Sequence, residues 1–274
     1  MDLTEEDIKR FQKAVSNVSP YNFRDYSYNS FYRRIVKILQ DYGISIDKLI
    51  ENVCRDYNYL ERVVRDITVN TTELFRDTET WALIRKTLTT TYTDRPSIKI
   101  WHAGCSSGQE VYSMMMMLSE LEMLDKANIY ASDINEKVLG TAMSGKYKYH
   151  EFQEYIGNFD KVFNLNGHAV DMTKYMEINK FKDYVQMNRN LVEKPLFLKH
   201  DLVPCQNIAD HNFDIIFCRN VLIYFNHELQ TNVINFFADH LNPTGCLIIG
   251  RHEGMIGPAA SRFNKTEALY FKTR

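Results

Sequence analysis

The chain has 274 residues, 45% of them hydrophobic, and its 33 basic and 35 acidic residues leave a formal net charge of −2 at pH 7. This size suits one large domain, or a small domain beside a medium one, with enough apolar residues for a sizeable core. The small net charge gives no overall field that would attract nucleic acid or an anionic membrane, so neither is expected as a partner. No apolar run approaches the roughly 20 residues needed to cross a bilayer, which argues against membrane insertion.

The N-terminal stretch and the scattered cysteines predict a cytoplasmic protein, and the cysteine and histidine spacings predict no metal site. The opening stretch MDLTEEDIKR is acidic and polar, without the basic and apolar regions of a secretory signal. The five cysteines are scattered without a C-x-x-C pair, and the eight histidines show no H-x-x-x-H spacing. These patterns indicate reduced thiols and no metal site.

Residues 1–68 are predicted to form a small all-α domain. In FYRRIVKILQDYG the apolar residues recur at helical spacing, and Gly43 is a natural C-terminal stop. Ser45 is then expected to cap a further helix over SIDKLIENV. Residues 69–96 are interpreted as a linker, and Pro96 with its turn-forming neighbours marks the start of a new unit.

From residue 97 to residue 274 short apolar strands alternate with helices. The predicted strands are IKIWHA (98–103), NIYASD (128–133), FDIIFCRN (213–220), GCLIIG (245–250) and, at an edge of the sheet, ALYFKTR (268–274). Helices are predicted over 108–124, 135–145 and HELQTNVINFFADHL. This alternation implies an α/β fold with a doubly wound, mostly parallel sheet and an antiparallel edge strand. Residues 147–200 break the alternation and are interpreted as a small β insertion.

The stretch WHAGCSSGQE (101–110) forms a glycine-rich loop directly after the first strand, where sheets of this kind bind their ligands. A phosphate-binding loop would need lysine after the last glycine, but Gly108 is followed by Gln109 and Glu110; a dinucleotide loop would need a third glycine. A neutral or cationic nucleoside such as S-adenosylmethionine fits better. Asp133, at the end of the second strand, can accept hydrogen bonds from both ribose hydroxyls.

Four stretches follow in a recognisable order: NTTELFRD (70–77), AGCSSGQEVYS (103–113), ASDINEKVLGTAMSGKY (131–147) and FDIIFCRNVLIYF (213–225). Together they resemble the CheR family, the bacterial chemotaxis receptor methyltransferases, and the helical N-terminal domain also matches. The resemblance implies a methyltransferase-type sheet and an S-adenosylmethionine-dependent protein-glutamate O-methyltransferase. Such an enzyme forms glutamyl methyl esters on the cytoplasmic domain of chemoreceptors and leaves S-adenosylhomocysteine. We expect a monomer.

The resemblance also implies roles for individual residues. Arg76 and Tyr224 are expected nearest to the transferred methyl group. Glu110 is expected to bind the methionine ammonium of the cofactor, and Asp133 its ribose. The other expected cofactor-binding residues, which Arg76 joins, are Asn70 and Thr72 on the covering segment 69–96, Gly104 in the loop, Asp201 and Leu202 near the adenine, and Arg219 and Asn220 after the strand FDIIFC.

Two departures from the family pattern leave the substrate open. The usual acidic pair after the loop glycine is Gln109-Glu110, and the turn that resembles GHSE in the family is GRHEGM (250–255). The alternatives are a methyltransferase for another protein or a small carboxylate, and a catalytically silent S-adenosylmethionine-binding sensor.

Two surface features are candidates for binding the receptor, and the sequence alone does not establish this role for either of them. Arg33, Arg34 and Lys37 share one helix face, which is either a receptor-contacting patch or an ordinary solvated surface. The β insertion docks a receptor tail peptide in some family members.

Overall fold

The computed structural model describes residues 3–164, 170–255 and 257–273. Its N-terminal region consists of the helices α1 (Glu5–Val18), α2 (Tyr28–Tyr42), α3 (Ile46–Arg55) and α4 (Tyr57–Ile67). The predicted stop after α2 is confirmed, because Gly43 adopts a left-handed conformation with φ +63°. Ser45 caps α3 as predicted, since its side chain accepts a hydrogen bond from the Lys48 N–H.

The N-terminal helices share a hydrophobic core of their own. Phe11, Phe31, Leu49 and Leu60, one from each helix, are almost completely buried in it. Helices of this length depend on burying one apolar stripe against their neighbours. The separate core supports the proposed domain limit near residue 68.

The rest of the chain alternates helices with strands. Its helices are α5 (Thr78–Thr87), α6 (Gln109–Glu120), α7 (Glu136–Ser144), α8 (Tyr149–Phe152), α9 (Ile156–Phe163), α10 (Arg189–Val192) and α11 (His227–His240). Its strands are β1 (Ile98–Ala103), β2 (Ala127–Asp133), β3 (Lys146–Tyr147), β4 (Met176–Asn179), β5 (Tyr184–Met187), β6 (Leu196–Lys199), β7 (Phe213–Cys218), β8 (Leu241–Ile249), β9 (Phe263–Thr266) and β10 (Leu269–Lys272). No described helix is both long and apolar enough to cross a membrane.

The main sheet has the strand order β6-β2-β1-β7-β8-β10-β9. The strands from β6 to β8 are parallel, whereas β10 pairs antiparallel with both β8 and β9. The predicted doubly wound, mostly parallel sheet is therefore confirmed. The C-terminal strand is not at the edge, however, because β9 lies outside it. The sequence did not reveal β9 because three of its four residues are exposed, which leaves no apolar pattern.

A small antiparallel sheet of order β3-β5-β4 occupies the segment predicted as a β insertion, and it begins one residue earlier, because β3 starts at Lys146. The predicted limits of 147–200 do not describe it fully. Residues 196–199 form β6, which pairs with β2 as an outer strand of the main sheet. Because β6 is a short edge strand without a fully buried residue, its sequence resembles the irregular segment before it.

The parallel strands β1, β2 and β7 end at the same edge of the sheet. The loops that follow them, 104–108, 134–135 and 219–225, therefore meet there. In open α/β sheets this edge is the usual place for a ligand.

Candidate active site

A cleft of about 950 Å³, open to solvent, lies beyond the carboxyl ends of these strands. Every site residue predicted from the sequence lines it: Asn70, Thr72, Arg76, Gly104, Glu110, Asp133, Asp201, Leu202, Arg219, Asn220 and Tyr224. The structure thus brings together side chains from five separate stretches of the chain. Their individual roles remain predictions.

The loop after β1 needs glycine because it passes close to the loop after β7. Gly104 has φ +78°, and a Cβ atom there would lie 2.5 Å from Cγ2 of Val221. A side chain at this position would therefore both strain the backbone and clash. The Gly104 N–H donates to the Ser132 carbonyl oxygen at 2.8 Å, which ties the loop to the end of β2.

Asp133 is held by backbone groups. Its Oδ2 accepts the Ser106 N–H at 2.8 Å, and its Oδ1 accepts the Asn135 N–H at 2.9 Å. Burial raises the pKa of Asp133, and these hydrogen bonds offset part of that rise. Asn135, not Asp133, caps α7, since its Oδ1 accepts the Lys137 N–H. Each carboxylate oxygen of Asp133 can therefore accept one further donor, as a pair of vicinal hydroxyls requires.

Glu110 lies in the first turn of α6, where the helix dipole favours an anion. Its Oε1 lies 2.8 Å from His102 Nδ1, which must donate because a carboxylate only accepts. Its Oε2 accepts from Arg219 Nη1 at 3.2 Å. Burial alone would raise the pKa of Glu110, but the His102 hydrogen bond and the Arg219 charge outweigh it and lower that pKa. Glu110 is therefore ionised at neutral pH.

Arg219 joins the floor of the cleft to the segment that covers it. Its side chain is 3% exposed, and its Nη2 donates to Asp77 Oδ2 at 2.7 Å and to the Arg76 carbonyl oxygen at 2.9 Å. Two carboxylates, Asp77 and Glu110, thus face one guanidinium. The two carboxylates and the one guanidinium together carry a net negative charge, which complements a cationic ligand.

Arg76 and Tyr224 line the same cleft, and both are half-buried. Arg76 Nη1 lies 3.4 Å from the Thr71 carbonyl oxygen, and no carboxylate of the described residues forms an ion pair with its guanidinium. Burial raises the pKa of Tyr224, and the charges of Arg34 and Arg76 offset part of the rise, so its hydroxyl keeps its proton at neutral pH. The pair offers a cation and a neutral donor to a ligand.

Glu253, which was not predicted as a site residue, shapes the loop that carries Tyr224. Glu253 accepts the N–H groups of Gly250 at 2.6 Å, Asn220 at 2.8 Å and Ile223 at 3.2 Å. Burial raises the pKa of Glu253, and these hydrogen bonds offset part of that rise. The stretch GRHEGM differs from the family pattern but keeps this glutamate. The retained glutamate was the sequence signal that could have identified Glu253 as a site residue. Asp77 and His102 were also missed, although both lie in stretches already singled out.

The polar groups that line the cleft fit S-adenosylmethionine. Carboxylates at Glu110, Asp133 and Asp201 suit a cationic, phosphate-free nucleoside, and the buried Leu202 offers an apolar surface for a base. Arg219 is neutralised by its carboxylate partners, so it leaves little charge for a phosphate.

The family model described as CheR methyltransferase, SAM binding domain, matches residues 70–271. The chain belongs to this CheR family. It is 32% identical over 253 residues to the putative methyltransferase Cher3 of Pseudomonas putida, covering 92% of this chain and 90% of that protein. It is 28% identical over 261 residues to a chemotaxis protein methyltransferase of Listeria monocytogenes, covering 93% and 92%. The chain therefore belongs to the family of S-adenosylmethionine-dependent chemotaxis protein methyltransferases, as the motifs predicted.

Replacing Asp133 with asparagine should weaken S-adenosylhomocysteine binding to the CheR chain by about 1.5–3 kcal/mol, because the amide loses the charge and one acceptor oxygen. Calorimetric titration measures this. Asp171→Asn is the matched control, since Asp171 also accepts a backbone N–H, from Thr173 at 2.8 Å, but at an exposed turn outside the cleft. Unchanged affinity in Asp133→Asn would remove Asp133 from the cofactor site.

Proposed function

We propose that the protein is a cytoplasmic protein-glutamate O-methyltransferase that forms methyl esters on glutamate side chains of chemoreceptors. The observation that carries the proposal is the Arg76 guanidinium, which has no carboxylate partner among the described residues and lines one cleft with the Tyr224 hydroxyl. A planar cation and a neutral donor suit a carboxylate substrate. The chemotaxis function in the relatives' names supports chemoreceptors as the source of that carboxylate.

Some residues of the cleft would bind the cofactor, and others would bind the substrate. Glu110 would hold the cofactor ammonium and Asp133 the ribose, while Asn70, Thr72, Asp201 and Leu202 complete that part of the cleft. S-adenosylmethionine, when bound, supplies an electrophilic methyl group on a positively charged sulfur.

Arg76 and Tyr224 would orient the receptor glutamate. A glutamate side chain is already ionised at neutral pH, so the protein needs no strong general base. Orientation at near-attack distance is then the main catalytic task, and it can lower a barrier by several kcal/mol, about 7–11 in favourable intramolecular reactions. A tighter grip on the carboxylate would stabilise the ground state and slow the transfer.

The receptor would approach past α2. Arg34 is near enough to Tyr224 to affect its pKa, and Arg33 is exposed one residue before it. Lys37 instead forms an ion pair with Asp41 at 3.0 Å, which partly neutralises its charge. We therefore assign the proposed receptor contact to the Arg33 and Arg34 end of this helix face.

Transfer of tritiated methyl from S-adenosylmethionine to receptor-containing membranes tests the function. Label that base releases as methanol is the expected result, because it identifies a carboxyl ester. A receptor whose methylated glutamates are replaced by alanine should accept no label. Base-stable label would contradict ester formation, and cofactor binding without any transfer would favour the sensor.

A further inference from the structure

His102 lies beneath the cleft and reaches it only through Glu110. It is the penultimate residue of β1, its side chain is 0% exposed, and it is not among the residues that line the cleft. Glu110, to which it donates a hydrogen bond, does line the cleft and keeps 14% of its side chain exposed. Any influence of His102 on a bound ligand must therefore pass through this carboxylate.

Strand pairing fixes the position of the His102 ring. His102 and Phe217 are register partners on β1 and β7, and their rings stack with centroids 4.4 Å apart and an interplanar angle of 13°. Phe217 also stacks with Trp81 of α5, at 6.1 Å and 24°, and both of these rings are completely buried. In so closely packed a core the imidazole has little freedom to turn away from Glu110.

The ring uses its hydrogen-bonding capacity on Glu110 alone. Nδ1 lies 2.8 Å from Glu110 Oε1, whereas Nε2 is enclosed and has no hydrogen-bond partner among the residues that the structure describes. A buried polar atom without a partner costs free energy, and a phenylalanine ring of similar shape would avoid that cost. Packing therefore does not explain a histidine at this position, whereas the hydrogen bond to Glu110 does.

Two donors hold the Glu110 carboxylate. His102 binds Oε1 at 2.8 Å and Arg219 binds Oε2 at 3.2 Å. Each carboxylate oxygen can accept more than one hydrogen bond, so both keep a position for a further donor. With both oxygens held, the plane of the carboxylate is set before a ligand arrives. With Arg219 alone, the carboxylate could rotate about a single hydrogen bond, and binding would have to order it.

We propose that His102 is a positioning residue of the cofactor site, which holds Glu110 in the orientation that receives the ammonium group of the cofactor. His102 thereby makes the site favour nucleosides that carry the amino-acid part of S-adenosylmethionine over nucleosides that lack it. The inference rests on the proposed contact between Glu110 and the ammonium group, and not on the identity of the methyl acceptor.

Calorimetric titration with two ligands tests the proposal. S-adenosylhomocysteine carries the ammonium group, whereas methylthioadenosine has the base, the ribose and a thioether sulfur without the amino-acid part. His102→Phe keeps an aromatic ring beside Phe217 but removes the donor. It should weaken S-adenosylhomocysteine binding about 10- to 100-fold, the scale of a hydrogen bond to a charged group, and change methylthioadenosine binding less than about threefold. Equal losses for both ligands, or wild-type affinity for S-adenosylhomocysteine, would overturn the proposal.

Two further variants separate positioning from packing. His102→Asn can place an amide N–H where Nδ1 lies, so it should recover most of the S-adenosylhomocysteine affinity that His102→Phe loses. His240→Phe is the matched control and should leave both affinities unchanged. His240 Nδ1 donates to the Phe236 carbonyl oxygen at 2.8 Å, and the two rings lie 4.4 Å apart, but outside the cleft. No recovery in His102→Asn, or an equal loss in His240→Phe, would overturn the proposal.

Glu110→Gln distinguishes failure of this inference from failure of the ammonium contact. If Glu110→Gln loses affinity for S-adenosylhomocysteine and His102→Phe does not, only the role of His102 is wrong. If Glu110→Gln binds it like wild type, the ammonium contact is wrong and the proposal falls with it. The double variant should bind within about threefold of Glu110→Gln, because His102 acts through that carboxylate; additive losses would overturn the proposal. None of these titrations involves methyl transfer, so they do not depend on the proposed glutamate methylation.

Discussion

Replacing Arg76 with alanine should lower the rate of methyl transfer roughly 100-fold, the scale of a misplaced reactant, while S-adenosylhomocysteine affinity changes less than about threefold. The guanidinium has no carboxylate partner among the described residues, so its removal leaves no buried charge unpaired. The backbone stays in place, because the Arg76 carbonyl oxygen accepts from Trp81 Nε1 at 3.1 Å and from Arg219 Nη2. The covering segment should therefore keep its conformation.

Single-turnover methylation and calorimetry on the same preparations separate the two possible roles of Arg76. Arg189→Ala is the matched control, since that arginine is 87% exposed and is not among the residues that line the cleft. Arg76→Lys keeps the positive charge but loses the planar guanidinium. Its methyl-transfer rate should therefore lie between that of Arg76→Ala and that of the Arg189→Ala control. Equal losses of affinity and rate in Arg76→Ala would leave Arg76 with its expected cofactor contact alone and contradict its role at the methyl acceptor.

Replacing Glu110 with glutamine should lower the free energy of unfolding at pH 7 by about 3 kcal/mol and weaken cofactor binding about 10- to 100-fold. The variant leaves the nearly inaccessible Arg219 with one carboxylate partner among the described residues, Asp77. It also removes the anion that would face the cofactor ammonium. Urea unfolding and calorimetry measure the two effects. Glu79→Gln is the control, because Glu79 also pairs with an arginine, Arg251 at 3.2 Å, but is 80% exposed. Its unfolding free energy should change by less than about 1 kcal/mol.

The difference in unfolding free energy between wild type and Glu110→Gln should change with pH in one direction. Because the folded-state pKa of Glu110 is lowered from its ordinary value of 4.5, its ionised form is stabilised by folding. Its contribution is fully present above that ordinary value and is lost as pH falls through the lowered pKa. The stability difference between wild type and Glu110→Gln should thus be constant near neutrality and shrink in acid. A difference that grows on acidification would show that the pKa is raised.

The sequence predicted the parts of the site that depend on local patterns. Gly104 and Glu110 follow a short apolar strand, and Asp133 ends the next one, so parallel pairing alone brings them to one edge of the sheet. The motif around Arg76 and the motif around Tyr224 supplied further candidates, and the family resemblance supplied Asp201 and Leu202. All of these residues do line one cleft.

The sequence could not predict which side chains pair across the cleft. The cofactor contact expected of Arg219 stays a prediction, and no sequence pattern indicated the partners that it binds in the structure, Asp77, 142 residues away in the chain, and Glu110. Such partners depend on how the covering segment packs over the sheet. Tyr26, which also lines the cleft, was missed for the same reason, because only the docking of the N-terminal helices places it beside Phe225.

A crystal structure of the protein with S-adenosylhomocysteine tests the central claim most directly. The ammonium group should lie within hydrogen-bonding distance of the Glu110 carboxylate, and the two ribose hydroxyls should donate to Asp133. A nucleoside bound outside this cleft, or bound in it with neither carboxylate in contact, would contradict the proposed site.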